Sequence, residues 1–112
     1  MLTITDQPYK RCTVINATGR IDSETAPQLE EAFEQANQKG QYNLVFNMEN
    51  VDFISSAGLR IMIATQKTCK RLVRGELVLV NVPERILETL DLAGFVPLFQ
   101  IFDNVTAAVG SF

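Results

Sequence analysis

The most informative absence in this 112-residue sequence is histidine, of which there is none. Histidine is the commonest acid–base residue near neutral pH, so its absence argues against most enzymatic mechanisms. The two cysteines, Cys12 and Cys69, lie far apart, and their spacing matches no metal-binding motif. Secreted domains of this size use denser cysteine frameworks, so we expect two buried free thiols in a reducing compartment. We expect neither a metal nor a cofactor, and we do not expect an enzyme.

Long hydrophobic runs are also missing. No segment approaches the roughly 18 uninterrupted apolar residues that a membrane-spanning helix needs. The first six residues, Met1 to Asp6, lack the basic start and the apolar core of a signal peptide. The sequence therefore predicts a cytoplasmic protein without a membrane partner.

Positive charge is in the minority, with 10 basic residues against 13 acidic ones and a net charge of −3. Nucleic-acid binding depends on the neutralisation of phosphates and normally shows as a basic excess. The one basic cluster is formed by Lys67, Lys70, Arg71 and Arg74, near the end of a predicted helix, where cations interact favourably with the helix dipole. We interpret this cluster as a solvated helix end and expect no nucleic-acid partner.

What the sequence does contain is typical of one globular domain. Hydrophobic residues make up 46% of the chain and charged residues 21%, and a chain of 112 residues can bury a core. Buried strands alternate with amphipathic helices over short connections, which predicts a single α/β domain over residues 1–112 with a central sheet of four or five strands. Its core is expected to contain Leu29, Phe33, Leu44, Phe46, Leu77 and Leu79.

Apolar spacing and turn residues place the individual elements. Strands are predicted over residues 2–5, 12–18 (ending at Gly19), 42–48, 77–80 and 98–102. A first helix is predicted to follow residues 22–28 and to end at Gly40, and a second to run from Ser55 or Ser56 to residue 73 with a stop at Arg74-Gly75. A third is predicted from Pro83 to Gly94, and a fourth after a cap at Asp103 or Asn104. Thr25 and Gln28 fit a capping box for the first helix.

The connection from the third strand to the second helix holds two adjacent serines and two small residues. It reads Val51-Asp52-Phe53-Ile54-Ser55-Ser56-Ala57-Gly58-Leu59-Arg60. Plain capping is the simplest interpretation, because a serine at a helix start binds free backbone N–H groups and stabilises the helix by about 1 kcal/mol. One serine suffices for a cap, however, and Gly58 falls inside the helix, where glycine costs ~1 kcal/mol relative to alanine. Small residues beside a hydroxyl leave the backbone open to close approach by another molecule.

The segment from Asp52 to Arg60 resembles the phosphorylation-site signature of bacterial anti-sigma factor antagonists, the STAS-domain family. The segment Gly19-Arg20-Ile21-Asp22 is similar to the Gly-x-Leu-Asp turn before the family's first helix, with Ile21 in place of leucine. The length and the order of elements also match, so the resemblance covers essentially the whole chain. It implies the STAS fold, in which amphipathic helices pack on a central mixed sheet.

The resemblance implies partner switching. In this family the unphosphorylated antagonist binds an anti-sigma factor that is also a serine kinase, which frees the sigma factor; phosphorylation releases the antagonist, and a serine phosphatase resets it. The motif places the acceptor at Ser56, while Ser55, the alternative acceptor, stands where the sporulation antagonists have aspartate. The implied partner-binding patch consists of Asp22, Ser23, Ser55, Ser56, Ala57, Gly58 and Leu59.

Within this patch the two serines are expected to divide two roles, with Ser55 capping the backbone and Ser56 pointing its hydroxyl outward. Replacement of Gly58 by glutamine is expected to weaken partner binding while leaving the melting temperature near that of the wild type. Two other functions stay open. The first alternative is a STAS scaffold that regulates another signalling or transporter complex. The second is a nucleotide-binding protein. Single glycines at element boundaries, which form no phosphate loop, argue against the second.

Overall fold

The computed structural model describes residues 1–73 and 75–112, with only the backbone of residues 72 and 73. Its helices and strands follow the predicted order. They are β1 (Leu2–Pro8), β2 (Thr13–Ile21), α1 (Ala26–Gln38), β3 (Asn43–Ile54), α2 (Ser56–Val73), β4 (Glu76–Val80), α3 (Glu84–Leu92), a 3-10 turn (Val96–Leu98), β5 (Ile101–Phe102) and α4 (Val105–Gly110). Arg74, which was predicted to contribute to the helix stop and to the basic cluster, lies outside the described residues.

The strands form one mixed sheet in the order β1-β2-β3-β4-β5. β1 pairs antiparallel with β2, and the other neighbouring strands pair in parallel. β3 is the central strand, and Leu44, Val45 and Phe46 are fully buried, as expected for a strand covered on both faces. The predicted α/β fold with a mixed sheet is confirmed, and the number of strands is five.

Two layers of helices cover the two faces of the sheet. On one face α1, α2 and α3 pack on the alternate strand residues that include Leu44, Phe46, Leu77 and Leu79. On the other face the short helix α4 packs through Ala108 on a smaller cluster of strand side chains. All six side chains predicted for the core are at most 1% exposed. None of the described helices is both long and apolar enough to span a membrane.

β2 does not end at Gly19, as the sequence predicted, but continues to Ile21. The glycine has a φ of +117°, and a Cβ there would collide with the backbone carbonyl oxygen of Met1. The register between β2 and β3 shifts between Gly19 and Arg20. Gly19 therefore lies within β2 and allows the backbone of Met1 to approach the strand closely. The prediction that the strand ends there was wrong.

The last predicted strand is much shorter than expected, because Val96–Leu98 forms a 3-10 turn and only Ile101–Phe102 pairs with β4. The amide of Gln66, which is 5% exposed, binds the part of β4 beyond that pairing. The Leu77 N–H donates to Gln66 Oε1 (2.7 Å), and Gln66 Nε2 donates to the carbonyl oxygens of Leu77 (3.0 Å) and Leu98 (2.9 Å). One side chain thus replaces a missing stretch of strand.

Both cysteines are free and fully buried, as predicted. Burial raises the pKa of the Cys12 thiol and of the Cys69 thiol. Because the thiolate is the reactive form, both side chains behave as small apolar core residues. At the start of α4 the cap is Asn104, one of the two residues predicted for it, since its side-chain oxygen accepts from the Ala107 N–H at 2.8 Å.

Candidate functional site

The turn around Asp22 and the serine loop lie side by side at one edge of the sheet. β2 and β3 run in parallel, with Ile21 opposite Ile54 at their carboxyl ends. One residue further on, the Ser55 N–H donates to the Ile21 carbonyl oxygen at 2.8 Å. The strand pairing therefore brings the two segments together, and loops at the carboxyl ends of parallel strands are where α/β proteins usually bind ligands.

The carboxylate of Asp22 organises the first of these loops. Its Oδ1 accepts from the backbone N–H groups of Glu24 (3.0 Å) and Thr25 (3.1 Å), and its Oδ2 pairs with Arg20 Nε at 3.3 Å. The Thr25 N–H above all, with the Glu24 N–H and Arg20, keeps the pKa of Asp22 below its ordinary value against the raising effect of burial. The carboxylate is therefore ionised at neutral pH and fixes a negative charge at this edge.

The capping box predicted for Thr25 and Gln28 is wrong. The Thr25 hydroxyl makes no cap to α1; it accepts from the Asp22 N–H (2.9 Å) and donates to the Arg20 carbonyl oxygen (2.7 Å). Gln28 Nε2 donates to the Leu2 carbonyl oxygen at 2.9 Å, which ties α1 to β1. Of the two N–H groups that such a box would bind, that of Thr25 donates to the Asp22 carboxylate and that of Gln28 donates to the Thr25 carbonyl oxygen at 2.9 Å.

Arg20 and Phe53 adjoin the Asp22 turn and were not expected to matter. The two residues face each other across β2 and β3, and the Arg20 guanidinium carbon lies 4.0 Å from the centroid of the Phe53 ring. Phe53 is 38% exposed, so this cation–π contact forms part of the surface. The sequence signal for this contact was an aromatic residue directly after Asp52, at the start of the serine motif.

The two serines have different surroundings. Ser56 is exposed and is the first residue of α2, one of the two starts predicted for this helix. Ser55 is half-buried, and its Oγ is shielded from solvent with no hydrogen-bond partner in the described part of the chain. The expectation that the Ser55 side chain caps the helix is therefore wrong. Its backbone is bound instead, through the N–H to Ile21 and through the carbonyl oxygen, which accepts from the Leu59 N–H at 3.0 Å.

Because the Ser55 hydroxyl has no hydrogen-bond partner among the described residues, Ser55→Ala is expected to leave the free energy of unfolding unchanged or to raise it by up to about 1 kcal/mol. A shielded polar atom without a hydrogen bond is a cost to the folded state, and alanine removes it. Urea denaturation of Ser55→Ala beside the wild type measures the difference, with Ser56→Ala as the exposed neighbour for comparison. A loss of 1 kcal/mol or more in Ser55→Ala would show that the hydroxyl is bonded after all.

Gly58 is buried and does not present open backbone to solvent. A Cβ at this position would lie 2.6 Å from Ile21 Cγ2 and 2.8 Å from Ile54 Cγ1. These carbon atoms belong to β-branched side chains at the carboxyl ends of β2 and β3, so they have little freedom to move aside. Gly58 therefore sets how closely α2 approaches the two strands, and these contacts argue against the expectation that glutamine at this position leaves the melting temperature unchanged.

Accordingly, Gly58→Gln is expected to lower the free energy of unfolding by about 3 kcal/mol, at the upper end of the usual cost of overpacking. Gly58→Ala should lose less, because the better helix propensity of alanine offsets part of the clash. Ala57→Gln, on the neighbouring half-buried position, is the matched control and should unfold near the wild-type denaturant concentration. If Gly58→Gln and Ala57→Gln unfold together, the contact with Ile21 and Ile54 does not constrain the helix.

The surface around the serine loop continues as a groove between α1 and α2. Its volume is about 390 Å³. It is lined by Ser23, Ala26, Pro27, Glu30, Ala57, Arg60, Ile61 and Ala64. Alanine side chains keep the groove open, and Ser23 brings it to the Asp22 turn. Of the residues assigned to the patch, Ser23 and Ser56 are exposed, Asp22, Ser55 and Ala57 are half-buried, and Gly58 and Leu59 are buried. No group of side chains suited to hold a metal ion occurs in the described part of the chain.

Comparison with known proteins identifies the family. The STAS domain model matches residues 3–108. The chain is 33% identical over 94 residues to BtrV of Bordetella bronchiseptica, a candidate anti-sigma factor antagonist (84% of this chain, 80% of that protein). It is 29% identical over 87 residues to the anti-sigma-B factor antagonist of Staphylococcus aureus (78% and 80%). The phosphorylated form of SpoIIAA, a Bacillus cell fate determinant, superposes with a TM-score of 0.76 at 18% identity (97% of this chain, 98% of that one). The chain therefore belongs to the STAS domain family and, within it, to the anti-sigma factor antagonists.

Proposed function

We propose that this anti-sigma factor antagonist works as a phosphorylation-controlled partner switch in the cytoplasm. Its unphosphorylated form binds an anti-sigma factor that is also a serine kinase, and this binding frees a sigma factor. Phosphate on Ser56 ends the binding, and a serine phosphatase restores it. The observation that carries the proposal is the exposed hydroxyl of Ser56 at the start of α2, beside the Asp22 turn.

Exposure and position both favour Ser56 as the acceptor. A kinase must reach the hydroxyl, and Ser56 is exposed whereas the Ser55 oxygen is shielded. The free N–H groups and the positive dipole end of a helix N-terminus accommodate a phosphate. The solved form of SpoIIAA is itself phosphorylated, which supports the idea that this fold accepts such a group.

The charge of the phosphate is sufficient to end binding. A phosphoserine adds about −1.5 to −2 charges at neutral pH. Beside Asp22, which is ionised already, the added charge repels an acidic partner surface. Like charges placed against each other in an interface cost several kcal/mol, and each ~1.4 kcal/mol weakens binding tenfold.

The proposed contact surface is the patch of Asp22, Ser23, Ser55, Ser56, Ala57, Gly58 and Leu59. Ser23 and Ser56 are its exposed members and would touch the partner directly. Gly58 and Leu59 are buried and would act by holding α2 against the ends of β2 and β3. The groove between α1 and α2 extends this surface past Ser23.

Calorimetric titration of the cognate anti-sigma factor tests the proposal. The phosphorylated protein should bind at least tenfold more weakly than the unphosphorylated one, and Ser56→Asp should fall between them because aspartate carries a single charge. Thr106→Asp adds the same charge at an exposed position on α4 and should bind like the wild type. Equal affinities of the unphosphorylated, phosphorylated and Ser56→Asp proteins would contradict the switch.

A further inference from the structure

A second surface lies toward the opposite end of α2 from Ser56. There the helix and the 3-10 turn enclose a groove of about 600 Å³. Its apolar side chains lie at different depths. Phe99, at 7% exposed, lies at the bottom, and Leu98, at 44% exposed, lies at the lip. The Gln66 amide, bound to the Leu98 carbonyl oxygen, fixes the turn that carries these two side chains.

The rim of this groove on the α2 side is basic. It consists of Lys67, Lys70 and Arg71, which are exposed and share one helix face because they stand three and four positions apart. Within the described residues no carboxylate lies within 4.0 Å of any of them. In the described part of the chain, three cations without a carboxylate partner thus border the apolar side chains of the groove, in a protein whose net charge is −3.

A solvated helix end explains this rim only in part. Lys70 and Arg71 lie in the last turn of α2, where the dipole favours cations. Lys67 lies before that turn, beyond the reach of the dipole effect. The apolar side chains opposite have no part in a dipole interaction. The combination matches the composition of a binding groove, and its volume is within the range of about 300–1,000 Å³ that small binding sites have.

We propose that the groove binds an acidic segment of a partner protein, with one bulky apolar side chain on Phe99 and Leu98 and two or more carboxylates on the basic rim. The rim extends over about 6 Å of helix, which is more than one carboxylate occupies. An anionic membrane fits less well, because Phe99 is only 7% exposed and lies below the surface that a flat bilayer would touch, and because the chain as a whole carries a net charge of −3. Lys67 lies roughly 16 Å along the helix from Ser56, so this partner and one at the serine loop need not overlap.

Selection from a phage-displayed library of random 12-residue peptides on the immobilised protein tests this proposal. The enriched peptides are expected to carry at least two acidic residues next to leucine, isoleucine or phenylalanine. A synthetic peptide of the enriched sequence should bind less tightly as salt rises, because the rim contacts are exposed. In NMR spectra the peptide should shift the amide signals of Ile63 and Phe99 and leave that of Ser56 in place.

Two triple variants with the same change in net charge provide the control. The affinity for the synthetic peptide should fall at least tenfold in the first variant, Lys67→Glu/Lys70→Glu/Arg71→Glu. It should not change in the second, Lys10→Glu/Lys39→Glu/Arg85→Glu, whose substitutions are at exposed positions elsewhere. Leu98→Asn should also lower the affinity for the peptide, while the circular dichroism spectrum stays unchanged. These measurements need no phosphorylation, so their outcome is independent of the switch proposed for Ser56.

Four results would overturn the proposal. The first is a library that yields no acidic consensus, and the second is equal peptide binding by the two triple variants. The third is binding to phosphatidylglycerol vesicles that the first triple variant alone loses, which would make the occupant a lipid surface. The fourth is a concentration-dependent dimer, seen by sedimentation, that the same variant abolishes, which would make the occupant a second copy of this chain.

Discussion

Ser56→Ala is expected to abolish phosphorylation by the cognate anti-sigma factor kinase and to leave the protein folded and bound to that kinase. The side chain is exposed, so its hydroxyl contributes little to stability, and its removal takes away the one hydroxyl of the loop that a kinase can reach. Intact-mass spectrometry after incubation with the kinase and ATP measures the added phosphate, and peptide mapping locates it.

The matched control for this experiment is Ser55→Ala, which differs by one position in the same loop. It should accept phosphate at the wild-type rate, since Ser56 is untouched. A phosphate mapped to Ser55, or full phosphorylation of Ser56→Ala, would move the acceptor to another residue. If no cognate kinase modifies either serine, the protein acts as a STAS scaffold for a different complex.

Gln66→Leu is expected to lower the free energy of unfolding by about 3–5 kcal/mol, the largest effect on stability among the changes considered for this chain. Leucine has a similar size but leaves the Leu77 N–H and the carbonyl oxygens of Leu77 and Leu98 without their partner. Each buried polar group that loses its hydrogen bond costs about 1–3 kcal/mol. Urea denaturation followed by circular dichroism gives the difference.

Gln38→Leu, at an exposed position at the end of α1, serves as the control for the change in side-chain type. It should remain within about 0.5 kcal/mol of the wild type, as surface substitutions usually do. A Gln66→Leu protein as stable as Gln38→Leu would mean that solvent or a shift of the 3-10 turn satisfies the exposed backbone groups.

Much of the fold was predictable because burial is visible in a sequence. The run Leu44-Val45-Phe46 indicated a strand covered on both faces, and β3 is indeed the centre of the sheet. The order of the strands was not predictable, because an apolar pattern records burial and not the neighbour that buries it. The end of β2 was misplaced for a related reason: Gly19 marks close contact with Met1, and a glycine alone does not distinguish that contact from a turn.

At the candidate site, the sequence predicted where the helix begins and misjudged the roles of two residues beside that start. The motif between Asp52 and Arg60 marked a helix start, and α2 does begin at Ser56. The roles of Ser55 and Gly58 depend on Ile21, which is distant in sequence and adjacent in space. Gln66 likewise interrupts an apolar helix face for a reason that only the short β5 reveals.

The hydrogen bond from the Ser55 N–H to Ile21 bears on how quickly a switch of the proposed kind responds. It anchors the serine loop to the paired ends of β2 and β3, so a phosphate on the next residue meets a backbone that is already in place. Collective rearrangements take microseconds to seconds, and a protein that needs none adds no delay of its own. The response time of the circuit is then set by the turnover of the kinase and the phosphatase and by the dissociation of the partners.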